Sequence, residues 1–142
     1  MQRWTAGVAL VPNGGEASTN ARDTPRTNSQ ARFFNAADPE AGKKLIDENT
    51  KCIYIETISN PSATVPDFEQ YVKIAGEAAI PIVCDNTFGQ GGWTCKPLAC
   101  GANLVVESAT KWIGGHGTYP SGRAEHLSPV GPEILKKTTL FF

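Results

Sequence analysis

Pro81-Ile82-Val83-Cys84-Asp85 and, further along the chain, Leu104-Val105-Val106-Glu107 are the stretches whose reading decides the fold. Each is a short apolar run ending on an acid, the pattern of a strand buried on both faces. A similar run, Cys52 to Thr57, precedes them, and Arg32 to Asn35 is a shorter strand candidate. Between the runs the period changes. Asp38-Pro39 supplies an N-cap and a first-turn proline for a helix reaching about Glu48. Asp67 opens a second helix, with Phe68, Tyr71, Val72, Ala75 and Ala79 at helical spacing. Strands alternating with helices imply right-handed crossovers, and therefore an α/β fold with a mainly parallel sheet.

The flanks lack this rhythm. Residues 1–30 are rich in Asn, Thr, Gly and Pro and read as a disordered leader. Residues 119–142 read as an irregular tail, broken by Pro120, Gly122, Pro129, Gly131 and Pro132. The organised domain is thus expected over residues 31–118, with no further strand after it. With 142 residues, 40% hydrophobic and 19% charged, the chain fits one soluble globular domain. A net charge of −1 without a polybasic run argues against nucleic acid and anionic membrane surfaces as partners. No apolar stretch approaches a membrane span. No secretory signal is legible, and Glu16 and Asp23 weaken the faint transit-peptide character of the arginine-bearing leader, so the cytoplasm is the expected compartment. Cys52 and Cys84 lie inside strand runs and are expected to be buried. Cys95 and Cys100 lack the further ligands that a zinc site needs, so no metal is expected.

The polar residues that stand out fall at the carboxyl ends of the strand runs, where open parallel sheets bind ligands. They are Glu56 and Asn60 after the second run, Asp85 after the third, and Ser108-Ala109-Thr110-Lys111 after the fourth. Taken singly, Lys111 reads more readily as a solvated surface lysine, Asp85 equally well as a turn carboxylate, and Asn60-Pro61 as a turn and nothing more. Ser108 and Thr110 read as turn formers or as phosphate donors. Together, an amine and a carboxylate at neighbouring strand exits suit pyridoxal phosphate, whose aldehyde takes a lysine and whose ring nitrogen takes an acid. Gly89-Gln90-Gly91-Gly92 lacks the Gly-Lys-Ser/Thr ending of a nucleotide loop. Trp93 and Trp112 are expected to pack, and His116 to sit in a tight backbone turn.

Three motifs in order carry a resemblance. Glu56-Thr57-Ile58-Ser59-Asn60-Pro61, Asp85-Asn86-Thr87-Phe88-Gly89-Gln90-Gly91-Gly92 and the segment Ser108-Ala109-Thr110-Lys111-Trp112 onward to Thr118 closely resemble the Cys/Met-metabolism (transsulfuration) family of pyridoxal-phosphate enzymes. Within it, they are most similar to the O-acetylhomoserine sulfhydrylase branch. The resemblance implies a partial aspartate-aminotransferase-like large domain, truncated at both ends. It further implies that Lys111 is the Schiff-base lysine, that Asp85 pairs with the ring nitrogen, that Ser108 and Thr110 hold the phosphate, and that Asn60 lies near the phenolic oxygen. The implied reaction replaces the acetyl group of O-acetylhomoserine with sulfide or a thiol, giving homocysteine or a thioether. A cystathionine synthase or lyase is the alternative within the family, and a non-catalytic interaction module keeping the motifs is the alternative outside it. Family members are homo-oligomers that share sites between subunits. The family's glycine-rich phosphate loop, ring-stacking aromatic and carboxylate-binding arginine find no matching motif in this chain, so the chain alone is expected to turn over poorly.

Overall fold

The computed structural model describes residues 29–116 together with the strands Gly7–Pro12 and Gly122–His126. In chain order the elements are β1 (Gly7–Pro12), β2 (Ser29–Phe34), α1 (Pro39–Lys43), β3 (Cys52–Glu56), α2 (Phe68–Glu77), β4 (Ile82–Asp85), a 3-10 turn (Thr87–Gly92), β5 (Leu104–Ser108) and β6 (Gly122–His126). They form a single sheet in the order β2-β1-β3-β4-β5-β6. Its centre, β3-β4-β5, is parallel, with α2 crossing between β3 and β4 and only the 3-10 turn and further turns between β4 and β5, and antiparallel neighbours flank it on both sides.

Two expectations about the flanks are corrected here. Gly7–Pro12 lies inside the stretch read as a disordered leader, yet its backbone pairs with β2 on one side and β3 on the other. Gly122–His126 lies inside the stretch read as an irregular tail, yet it pairs antiparallel along the whole of β5. Both segments sit among turn-forming residues, which hides them in the sequence; what makes them strands is a neighbour with open backbone donors and acceptors. The rest of the leader and tail lies outside the described residues.

Local chemistry explains the helices. The Asp38 carboxylate accepts from Ala41 N at 3.1 Å, and Pro39 occupies the first turn where its missing N–H costs nothing. This helix is shorter than expected and ends at Lys43, the chain continuing in turns to Thr50. The Asp67 carboxylate caps α2 through Gln70 N at 3.2 Å. From α2, Tyr71, Ile74 and Ala75 pack onto Ile53, Ile55, Ile82, Cys84 and Val105. Ala79 lies beyond the helix, exposed, with a left-handed φ of 53°. The opposite face of the sheet carries Cys52, Val83, Leu104 and Val106, with Tyr54 packed against them. Strand alternation therefore puts Tyr54, Glu56, Asp85 and Ser108 on the face away from α2.

Candidate functional site

The parallel register sets Glu56 of β3 beside Asp85 of β4, at the carboxyl ends of both strands. A cavity of ≈ 230 Å³ opens there, lined by Glu56, Ile58, Asn60, Asp85, Thr87, Phe88, Ser108 and Lys111. A second, of ≈ 400 Å³, adjoins it through Asn60, Thr87, Phe88 and Lys111, and reaches Trp112 and Gly115. The latter volume falls within the range of about 300–1,000 Å³ usual for small-molecule clefts. Of the residues picked from sequence, Asn60, Asp85, Ser108 and Lys111 come together from three separate strand exits. Thr110, in the turn between Ser108 and Lys111, lines neither cavity.

Asp85 is held at both oxygens. Tyr54 Oη donates to Oδ2 at 2.9 Å, and the backbone N–H of Thr87 donates to Oδ1 at 2.9 Å. Thr87 then accepts from Ser108 N at 3.0 Å through its hydroxyl, coupling the β4 exit to the β5 exit. Beneath them lies Asn86, only 1% exposed. Its Oδ1 accepts from the Thr57 hydroxyl at 2.5 Å, and its amide donates to Glu107 Oε1 at 3.0 Å and to the Cys95 carbonyl at 3.2 Å. Gly89 crosses directly above, where a Cβ would overlap the Asn86 side chain. Gln90 and Gly91 then take left-handed φ of 57° and 67°, which folds the glycine-rich segment into a tight turn. Glu56 accepts from Asn60 N at 3.0 Å, and the Asn60–Pro61 peptide is cis.

The site's electrostatics follow from burial and from paired acids. Burial holds the Glu56 carboxyl above the ordinary glutamate value of 4.5; the Asn60 N–H opposes this and the Asp85 charge adds to it. Burial, then the Asp85 charge, raises Tyr54, so its hydroxyl stays a donor across the physiological range. Cys84, under the site, is a buried thiol pushed up to about 12.

Sequence reasoning overlooked Tyr54, Asn86, Thr87 and Glu107. For Tyr54 a signal existed, since it sits two residues before Glu56 and so shares its face. Asn86 and Thr87 were hidden by their turn context. Trp93 and Trp112, expected to pack, are instead 88% and 53% exposed, because both follow tight turns that lead them off the sheet. Among the described residues no group of three or more His, Cys, Asp or Glu is placed to hold a metal, and no helix is long and apolar enough to cross a membrane.

This donor set, with one amine, one doubly anchored carboxylate, and hydroxyl and amide groups around them, suits a small aromatic aldehyde bearing a basic ring nitrogen and an anionic group. The comparisons with known proteins agree. A family model described as Cys/Met metabolism PLP-dependent enzyme matches residues 14–126. The homocysteine/cysteine synthase of Saccharomyces cerevisiae is 54% identical over 97 residues, covering 68% of this chain and 22% of that protein. The O-acetyl-L-homoserine sulfhydrylase 1 of Thermus thermophilus is 42% identical over 118 residues, covering 81% of this chain and 28% of that protein. Among solved structures, a Campylobacter jejuni chain described as an O-acetylhomoserine (thiol)-lyase carries N'-pyridoxyl-lysine-5'-monophosphate. It superposes with a TM-score of 0.62 at 35% identity, over 66% of this chain and 23% of its own. Cystathionine gamma-lyase of Lactobacillus plantarum gives a TM-score of 0.66 at 29% identity, over 75% of this chain and 27% of its own. The chain therefore spans roughly a quarter of the length of the relatives it matches. With the family model covering most of its length and the motif residues gathered at one cavity, the chain belongs to the Cys/Met-metabolism family of pyridoxal-phosphate-dependent enzymes.

Proposed function

We propose that this cavity holds pyridoxal phosphate and serves sulfur amino-acid metabolism of the O-acetylhomoserine sulfhydrylase type. In this reading Lys111 is the covalent attachment point for the aldehyde and Asp85 faces the ring nitrogen. Ser108 and Thr110 take the phosphate, and Asn60 lies near the phenolic oxygen. When bound, the cofactor supplies an electron sink for negative charge developing at the substrate's Cα. The Asp85 carboxylate favours a proton on the ring nitrogen, because an opposite charge nearby stabilises the cationic form. The Lys111 amine, once released from the aldehyde, is a local base that can move protons at the substrate's α and β carbons. The overall change is a γ-replacement, in which acetate leaves O-acetylhomoserine and sulfide or a thiol adds, giving homocysteine or a thioether. We further place the protein in the cytoplasm, acting as a homo-oligomer on small-molecule substrates.

The observation that carries this reading is the convergence of Asn60, Asp85, Ser108 and Lys111 on one cavity. The sulfhydrylase is favoured over a cystathionine enzyme because, among solved structures, the thiol-lyase is 35% identical against 29% for the cystathionine lyase, and homocysteine/cysteine synthase and sulfhydrylase relatives are 42–54% identical in sequence. The test is direct. Chain incubated with pyridoxal phosphate should gain visible absorbance, and borohydride should fix the label on the Lys111 peptide. Equal labelling of Lys111→Ala would overturn the assignment. Homocysteine formed from O-acetylhomoserine and sulfide identifies the sulfhydrylase; cofactor binding without any turnover favours the non-catalytic module.

A further inference from the structure

Asp85 ends β4 on a side-chain torsion that is intrinsically loose, since χ2 of aspartate is a broad, roughly two-fold rotor. A carboxylate meant to face one ring nitrogen needs that rotor stopped. Two donors stop it here, one on each oxygen: Thr87 N on Oδ1 and Tyr54 Oη on Oδ2, both at 2.9 Å. The Thr87 donor belongs to the backbone and comes with the turn itself. The Tyr54 donor is a side chain from a neighbouring strand, reaching across the sheet face from the position paired with Val83. Its ring packs against the cluster of Cys52, Val83, Leu104 and Val106, so the hydroxyl is delivered from a fixed platform. Glu56 and Lys111, the other charged groups lining the cavity, make no hydrogen bond to Asp85 that could replace it.

We propose that Tyr54 is a positioning residue, whose hydroxyl fixes the plane of the Asp85 carboxylate for the cofactor's ring nitrogen. The proposal rests on the reading of Asp85 given above. A bond to a charged acceptor is worth more than one between neutral groups, so its loss should be visible in binding as well as in rate. A phenylalanine in the same place keeps the packing and removes only the donor.

The test is a double-mutant cycle on the full chain, with pyridoxal phosphate as the probe and its equilibrium affinity, read by absorbance titration, as the measurement. Circular dichroism confirms that each variant is folded. Tyr54→Phe is expected to weaken cofactor binding roughly tenfold. In an Asp85→Asn background the same substitution should change the affinity little, because the charged acceptor through which Tyr54 acts is gone. Unchanged affinity in Tyr54→Phe, or an equal loss in both backgrounds, would overturn the positioning role while leaving the cofactor site standing. A wild-type chain showing no Lys111-dependent binding would overturn the underlying reading, and this proposal with it.

Discussion

The side-chain amide of Asn86 donates to Glu107 Oε1 at 3.0 Å, tying the exit of β4 to the exit of β5 inside the protein. Asp85 immediately precedes Asn86 and Ser108 immediately follows Glu107, so this buried bond helps fix the separation of two candidate ligand groups. The Thr57 hydroxyl and the Cys95 carbonyl extend the same network to β3 and to the turn beyond Gly92. A network of this kind is valuable when complete and costly when broken.

Asn86→Ala should therefore be strongly destabilising. It strands the Glu107 carboxylate in the interior and leaves the Thr57 hydroxyl only its longer contacts to the Asp85 carbonyl at 3.3 Å and Cys84 Sγ at 3.4 Å; an unsatisfied buried polar group costs about 1–3 kcal/mol. Urea unfolding of wild type and variant measures the difference, and a loss below about 0.5 kcal/mol, the level of an ordinary surface change, would refute it.

Gly89→Ala tests the same contact from the other side. The added methyl overlaps the Asn86 side chain, whereas at Gly91 it meets nothing within 4 Å. Overpacking costs about 1–3 kcal/mol and the left-handed φ at Gly91 roughly 1–2 kcal/mol for a non-glycine residue. Both variants should lose stability, but only Gly89→Ala should also disturb the side chain that anchors the site. The expected signature is a larger loss of cofactor affinity in Gly89→Ala than in Gly91→Ala.

Tyr71 anchors α2 in a different way. Its ring is fully buried, 5.9 Å between centroids from Phe34, and its hydroxyl donates to the Ala36 carbonyl at 3.1 Å. Tyr71→Phe removes one hydrogen bond, worth about 0.5–1.5 kcal/mol net, while Tyr71→Ala adds a cavity and should cost about 3–5 kcal/mol. Thermal or urea denaturation of the pair separates the two contributions.

Glu56 predicts a pH dependence. Its folded-state pKa lies above the ordinary value of 4.5, so the unfolded chain releases this proton first as pH rises. The group's favourable contribution is complete below that value and is lost as pH rises through the raised one. Glu56→Gln keeps an acceptor for Asn60 N and carries no charge. Relative to wild type it should gain stability from just above pH 4.5 towards neutrality, and show no such gain in stronger acid. Urea midpoints across that window check the sign.

Thiol reactivity should follow exposure. Cys52 and Cys84 are buried, and the Cys84 thiol is pushed up to about 12 by that burial. Cys100 is exposed and Cys95 half-buried, with its thiol raised by burial and by Cys100 beside it. A small disulfide reagent at neutral pH should label Cys100 first and leave Cys52 and Cys84 untouched until the chain unfolds.

Sequence alone determined the parallel centre of the sheet, because runs such as Cys52–Glu56 and Ile82–Asp85 and the spacing of Tyr71 and Ala75 are local patterns set by period. It determined both helix starts, because Asp38 and Asp67 act within three residues of themselves. It also named Asn60, Asp85, Ser108 and Lys111, because strand ends are where such a sheet binds ligands. Tertiary structure decided the rest. β1 and β6 are strands through pairing with distant neighbours, and nothing in their own composition requires it. The bond from Tyr54 to Asp85 joins β3 to β4, and that from Asn86 to Glu107 joins the exit of β4 to β5. Each depends on register, a property no single stretch of chain contains.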